Sequence, residues 1–340
     1  MNSQTHTFYI SRVLLIFSSI LLSFLMATAV SAIEDANTNP NPVADFDGDG
    51  KSDISVFRPS NGYWYVMKSS GGYSSIKWGL ATDTLMPGDY DGDGKTDLAV
   101  YRDHGVNIFQ IVNNPWYILR SSDNTFLARE WGRTSSFVRD TPVPADYDGD
   151  GKTDLAVYDL SDAIPDRGSF RILQSSTDSG VIIQWGTNVD RRVPADYDGD
   201  GKADLAVYRD DPVFGNTQVG IWYILQSSNG AIRVERFGLP TDKLVPADYD
   251  GDGKADIAVY RPSNGFWYRL NSSDGSFNAT QFGLSSDKPT PADYDGDGKT
   301  DIAVFRPSSG TWYLQRSTEG FSAQLFGFGD DVPIPNTFVR

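Results

Sequence analysis

A nine-residue string of the form D-(Y/F)-D-G-D-G-K-(S/T/A)-D occurs six times, at 45–53, 89–97, 146–154, 196–204, 248–256 and 293–301. The strings start 44, 57, 50, 52 and 45 residues apart. A repeat of this length marks a solenoid, a propeller or an array of small units. The strings also locate the charge. Each holds four Asp and one Lys, so the six together more than account for the formal net charge of -16. An acidic chain without basic runs lacks the electrostatic footprint of a nucleic-acid binder.

The flanks repeat as well. A short segment such as Val245-Pro246-Ala247 precedes each string, and an alternating run follows it: DISVF, DLAVY, DLAVY, DLAVY, DIAVY and DIAVF. Next come a turn such as Arg58-Pro59-Ser60-Asn61-Gly62 and a second run such as WYVMKSS at 64–70. A third run ends in Trp-Gly or Phe-Gly, from Trp78-Gly79 to Phe326-Gly327. Short β-branched and aromatic runs between Gly, Pro, Asn and Ser are strand chemistry. Each unit therefore reads as four strands, a to d, with the acidic string joining a to b.

Four-stranded units at this period predict an all-β, six-bladed β-propeller. Seven blades are the alternative, but a seventh set of strands is not found. The first a strand is expected near Pro42–Phe46, and Val332-Pro333-Ile334-Pro335 reads as an extra a strand able to pair with the first blade. Trp64, Trp116, Trp222, Trp267 and Trp312 recur at one strand position. That row reads as core between blades, because burying a large apolar side chain contributes about 1.5–3 kcal/mol; sugar binding is the competing reading.

Aligned on the EF-hand loop, the string offers Asp at positions 1, 3, 5 and 9 and Gly at position 6. The position-7 Lys would offer its backbone carbonyl, with its side chain turned away. Six to eight oxygen ligands suit calcium (Ca2+) better than magnesium. Position 12, a bidentate Glu in EF-hands, is Val100 in the second unit, so the site must close through the position-9 Asp. The expected ligands are Asp45, Asp47, Asp49, Lys51 and Asp53; Asp89, Asp91, Asp93, Lys95 and Asp97; Asp146, Asp148, Asp150, Lys152 and Asp154. In the later units they are Asp196, Asp198, Asp200, Lys202 and Asp204; Asp248, Asp250, Asp252, Lys254 and Asp256; Asp293, Asp295, Asp297, Lys299 and Asp301. Gly92 is expected to let the chain pass close to the ion.

With these strings and the Phe-Gly or Trp-Gly ends, the chain resembles the integrin-alpha-type repeats known as FG-GAP or VCBS repeats, over roughly 41–335. The resemblance implies a propeller with structural calcium in the a–b loops. It also implies roles in adhesion and in carbohydrate or protein recognition, mostly outside the cell.

Residues 1–32 read as a secretory signal. Arg12 precedes the apolar run Val13–Val30, and Val30-Ser31-Ala32 supplies small residues for cleavage; uncleaved, the run is long enough to anchor in a membrane. Residues 33–40 then form a short linker and 41–340 the propeller, a monomer that is secreted, periplasmic or on the cell surface. The chain has no cysteine, which excludes disulfides, zinc-thiolate sites and a cysteine nucleophile.

Antiparallel strands put the a–b and c–d loops on one face and the b–c and d–a loops on the other. The b–c connections of units 2, 3 and 4 are enlarged, at 103–115, 159–169 and 210–220. With the d–a links they bring Phe109, Arg139, Arg191 and Phe214 as candidate ligand-binding residues for an extracellular glycan or protein. Variable loops on a rigid scaffold often carry function. The function expected is a calcium-dependent recognition or adhesion module, not an enzyme. A structural spacer is one alternative. A polysaccharide-active enzyme is another; it would draw on His104 and on Asp162, Asp166, Asp210 or Asp211.

Overall fold

The computed structural model describes residues 43–105, 110–135, 140–159, 167–211 and 219–335. Signal and linker lie outside them. The described residues form six four-stranded antiparallel sheets and no α-helix. The fifth sheet is representative. A two-residue a strand, Lys243–Leu244, pairs with b, Ile257–Arg261; b pairs with c, Phe266–Leu270; c pairs with d, Phe277–Gln281.

Alternation along strand b explains why both of its faces are apolar. In the second blade Leu98 and Val100 pack with Phe57 and Trp64 of the first blade. Ala99 and Tyr101 turn the other way and pack with Leu155 and Val157 of the third. The remaining clusters join blades 3 and 4, 4 and 5, 5 and 6, and 6 and 1. Six interfaces that return to their start make a closed, six-bladed β-propeller. The five tryptophans are core: each is 0–1 % exposed, and each indole N–H donates to the carbonyl of the Trp or Phe ending its own unit, at 2.7–3.0 Å. Phe170 takes this place in the third blade. There the Tyr158 hydroxyl donates to the Trp185 carbonyl instead, at 3.1 Å.

The first a strand departs from expectation. Described residues 43–46 form no strand. Val332–Pro333 occupies that edge, pairing Phe57 with Val332 and Val56 with Pro333. The Ile334 N–H continues the ladder to the Ser55 carbonyl at 2.9 Å, and Ala44 resumes it by accepting from the Asp53 N–H at 2.9 Å. The first blade thus takes its inner strand from the C-terminal segment. A ring held only by side-chain packing would open at one interface, whereas shared backbone hydrogen bonds tie its two ends together. Ile334 is fully buried at this seam. Ile334→Ala is therefore expected to destabilise the protein by about 2–5 kcal/mol, read as a lower melting temperature. A melting temperature unchanged by this substitution would show that the seam does not hold the ring.

Candidate metal centres

Each string wraps its own first aspartate. In the second unit the Gly92 and Gly94 N–H groups donate to the two oxygens of Asp89, at 2.6 and 2.9 Å. Both glycines sit at positive φ, +81° and +82°, a region that costs other residues about 1–2 kcal/mol. Asp97 is fully buried and accepts from the Tyr90 N–H and the Ser121 N–H, at 2.9 and 2.6 Å.

The c–d turn meets the string on the same face, as antiparallel strand order requires. The Ser121 hydroxyl donates to Asp93 at 2.8 Å and the Ser122 hydroxyl to Asp91 at 2.6 Å. The pairs Ser69-Ser70, Ser175-Ser176, Ser227-Ser228 and Ser272-Ser273 make the same contacts to their strings. The sixth unit varies: Ser317 and Thr318 hydroxyls both donate to Asp297, and Asp295 accepts the Thr318 and Glu319 N–H groups. Sequence reasoning missed these residues. The signal was present, since every strand c runs into Ser-Ser or Ser-Thr.

In five strings, oxygens of positions 1, 3 and 9 lie within 4.8 Å of one another: Asp45, Asp47 and Asp53; Asp89, Asp91 and Asp97; Asp146, Asp148 and Asp154; Asp196, Asp198 and Asp204; Asp248, Asp250 and Asp256. The sixth string keeps the same wrapping, with Gly296 and Gly298 N–H groups on Asp293. Position 5 stands apart from the triad. Asp93 Oδ1 takes the Lys95 N–H at 2.9 Å besides the Ser121 hydroxyl.

The donor set fits a hard cation on two counts. The inner oxygen Oδ1 of Asp47, Asp91, Asp198 and Asp295 is buried and has no hydrogen-bond partner, although buried acceptors are normally satisfied. The position-9 carboxyls are also held in an uncomfortable place. Burial, then neighbouring aspartates, push Asp53, Asp97 and Asp256 up to about 6 and Asp301 up to about 7. An ion among these oxygens would satisfy the orphans and offset the repulsion. These are sites able to hold a metal ion.

The strings are also bonded to each other. The position-8 N–H of each donates to the position-1 carbonyl of the preceding one: Thr96 to Asp45, Thr153 to Asp89, Ala203 to Asp146, Ala255 to Asp196, Thr300 to Asp248 and Ser52 to Asp293, all at 2.6–2.7 Å. The position-7 Lys leaves its own string and lies across the position-4 Gly of the preceding one. Lys152 crosses Gly92 so closely that a Cβ there would stand 2.8 Å from Lys152 Cε, and Lys51 over Gly296 completes the circle. Beside the expected reason for Gly92, approach to the ion, stands a second one: the neighbouring blade's lysine covers it.

On the opposite face a second ring of aspartates is neutralised by arginine. Asp83, Asp190, Asp242, Asp287 and Asp331 are each held by two hydrogen bonds, from Arg102, Arg209, Arg261, Arg306 and Arg58, at 2.7–2.9 Å. Each guanidinium also lies 4.3–4.8 Å from the ring centre of a strand-c tyrosine. The third blade breaks this pattern. Asp159 stands at the arginine position and Arg171 at the tyrosine position. Arg133 bonds Asp159 at 2.6 Å and lies 3.6 Å from Asp140. Burial and Asp159 push the Asp140 carboxyl up to about 6.

Of the candidate ligand-binding residues, Phe109, Arg139 and Phe214 lie outside the described residues, as do Asp162 and Asp166. Arg191 is described and turned toward the next blade. It donates to the Asp242 carbonyl at 3.0 Å, lies 3.7 Å from Asp210 and stacks 4.5 Å from the Tyr208 ring centre.

The lysine crossing separates two glycines of one string. Gly92→Ala meets both the positive φ and Lys152, while Gly94→Ala meets the φ alone, with nothing within 4 Å. Gly92→Ala is expected to lower the melting temperature more than Gly94→Ala, and pairing it with Lys152→Ala should recover part of the difference. Equal effects would show that the lysine does not press on this glycine.

A family model described as FG-GAP-like repeat matches residues 45–100, 89–157, 196–259 and 248–304. No curated protein matches the sequence. Among solved structures, a catalytically inactive virginiamycin B lyase from Staphylococcus aureus is similar at 8 % identity, covering 88 % of this chain and 94 % of that chain with a TM-score of 0.46. A streptogramin B lyase is similar at 10 % identity, covering 87 % and 86 %, with a TM-score of 0.46. The Synechocystis apocarotenoid oxygenase is similar at 10 % identity, covering 85 % and 71 %, with a TM-score of 0.44. Likenesses this distant carry no argument about function. The family model, in contrast, spans more than half of the chain on the acidic strings themselves: the protein belongs to the family of FG-GAP-like repeats.

Proposed function

We propose that this protein is an exported, calcium-stabilised recognition module whose ligand is an extracellular glycan or protein. The observation that carries the proposal is the buried, partnerless Oδ1 at position 3 of four strings, set among carboxylates whose repulsion a cation would offset. Oxygen-only donors favour a hard ion, and their number favours calcium over magnesium. The leader-like N-terminus and the lack of cysteine support work outside the cell, with cations standing where disulfides would otherwise brace an exported fold.

At ten times its dissociation constant, each ion would add about 1.4 kcal/mol, and six independent sites about 8 kcal/mol. That is comparable with the whole stability of a typical domain, about 5–15 kcal/mol. Calcium is therefore expected to raise the melting temperature strongly over that in EGTA, with magnesium less effective. A melting temperature indifferent to calcium would refute the proposal. Ligand capture from a glycan array or by pull-down, with and without EDTA, tests the recognition role.

The cation-free protein should respond to pH in an unusual direction. Burial pushes all six position-9 carboxyls above the ordinary value of 3.8, Asp53, Asp97 and Asp256 up to about 6 and Asp301 up to about 7. Folding therefore takes up protons between about pH 4 and about pH 7, and stability falls as pH rises through that window. In EGTA the melting temperature should be higher near pH 5 than near neutrality. Saturating calcium should reverse the order, because ligands must be deprotonated to bind. The same pH trend in both buffers would contradict this account of the strings.

A further inference from the structure

A cavity of about 440 Å³ lies between the second and third blades, on the side of the acidic strings. That volume suits a small molecule. Its chemistry is mixed. Leu127, Leu155 and Leu173 give an apolar wall, while Arg120, Arg129 and Lys152 contribute three cations against the two carboxylates of Asp91 and Asp178. In a chain of net charge -16, a cleft with more cations than carboxylates is out of place.

Two of these cations are uncommitted. Arg120 and Lys152 form no salt bridge among the described residues, and Arg120 Nε is buried without a hydrogen-bond partner. Lys152 is held in place by its stem, which crosses Gly92. Arg129 pairs with Asp178 of the third blade across the cleft.

The five other blades provide an internal comparison. Residues at the Arg120 position are Lys68, Gln174, Gln226, Asn271 and Arg316. Strand register places Ile76, Ile183, Glu235, Thr280 and Gln324 at the position of Arg129. The second blade alone puts a guanidinium at both. In the sixth blade Arg316 is already paired with Glu319. The fold does not need two arginines here, since the other blades are built without them.

We infer that this cleft binds an acidic sugar, with the carboxylate of a uronic-acid residue held by Arg120 and Lys152. The C–H face of the sugar ring lies on the leucines, and the Gln174 amide donates to and accepts from its hydroxyls. A simple inorganic anion would leave the apolar wall unused, and a neutral sugar would leave the buried Arg120 Nε unmatched. This names a ligand class for the recognition role proposed above and rests on it.

The test is titration of the full chain, in calcium buffer, with galacturonate, trigalacturonate and, as the neutral control, galactose, followed by calorimetry or amide chemical shifts. Saturable binding of the uronates is expected, weakened by added salt, with galactose at least tenfold weaker. Arg120→Gln should weaken uronate binding at least tenfold, whereas Arg316→Gln, the matching position in the sixth blade, should leave it unchanged. The calcium-dependent melting of each variant is measured alongside; should Arg120→Gln fail to fold, Lys152→Gln, which keeps the stem over Gly92, replaces it, with the same loss expected. The inference is overturned by absence of uronate binding, by galactose binding equally well, or by retention of affinity in the folded variant. Indifference of melting to calcium, with uronate still bound, would instead sink the calcium proposal and leave the cleft standing.

Discussion

Three carboxylates converge within 4.8 Å in the strings, and the rest of the ring is organised around that repulsion. Some of it is absorbed locally. Backbone N–H groups of two glycines turn inward to the first aspartate, and the c–d turn adds a backbone donor and two hydroxyls per blade. What local bonding leaves is a partnerless oxygen at position 3 and a raised carboxyl at position 9. Both call for positive charge at the centre of the triad, and no lysine supplies it. Each string's lysine is sent to the neighbouring blade, where its stem packs on glycine. A cation site and an inter-blade clamp are therefore parts of one device. The loop conformation that presents the aspartates also places the position-8 N–H on the carbonyl next door.

The two faces solve the same problem differently. Opposite the strings, the d–a aspartates are buried as well, but in five of the six blades each receives a bidentate guanidinium backed by a tyrosine ring. Two well-aligned charge-assisted bonds satisfy a buried carboxylate without any ion. A propeller with one face of converging carboxylates and one self-neutralised face should tolerate variation unevenly. The ends of strands b and c that flank the enlarged connections of units 2, 3 and 4 lie on the self-neutralised side, away from the string geometry. The third blade, with Asp159 and Arg171 exchanged into the arginine and tyrosine positions, shows that this side can be rebuilt while Ala156 and Tyr158 keep the core packing.

Much of this was legible in the chain. The string period, the DLAVY alternation and the tryptophan row led directly to six four-stranded blades, because strand alternation and burial on both faces leave few other arrangements. Spacing put positions 1, 3, 5 and 9 and the position-7 carbonyl on one ion; the structure brings positions 1, 3 and 9 together and leaves position 5 on the c–d turn. The serine pairs were visible but unassigned, since they lie 20 to 31 residues from the aspartates they hold and only strand order brings them together. The same holds for Asp83 and Arg102, which in sequence are an ordinary turn acid and an ordinary strand-end base.

By itself, the sequence determined what repeats within a unit: strand number, loop chemistry and the acidic triads, all set by contacts close along the chain. Tertiary structure decided what passes between units. Of the two segments the sequence offered for the first blade's inner strand, it took residues 332–334 over 43–46, because only the chain's far end can close the ring with backbone hydrogen bonds. It made the position-4 glycine a seat for a neighbour's lysine, and it gathered Arg120, Arg129 and Lys152 from two blades into one cleft. Those relations depend on how blades stack, and a repeat read one unit at a time carries no record of its neighbour.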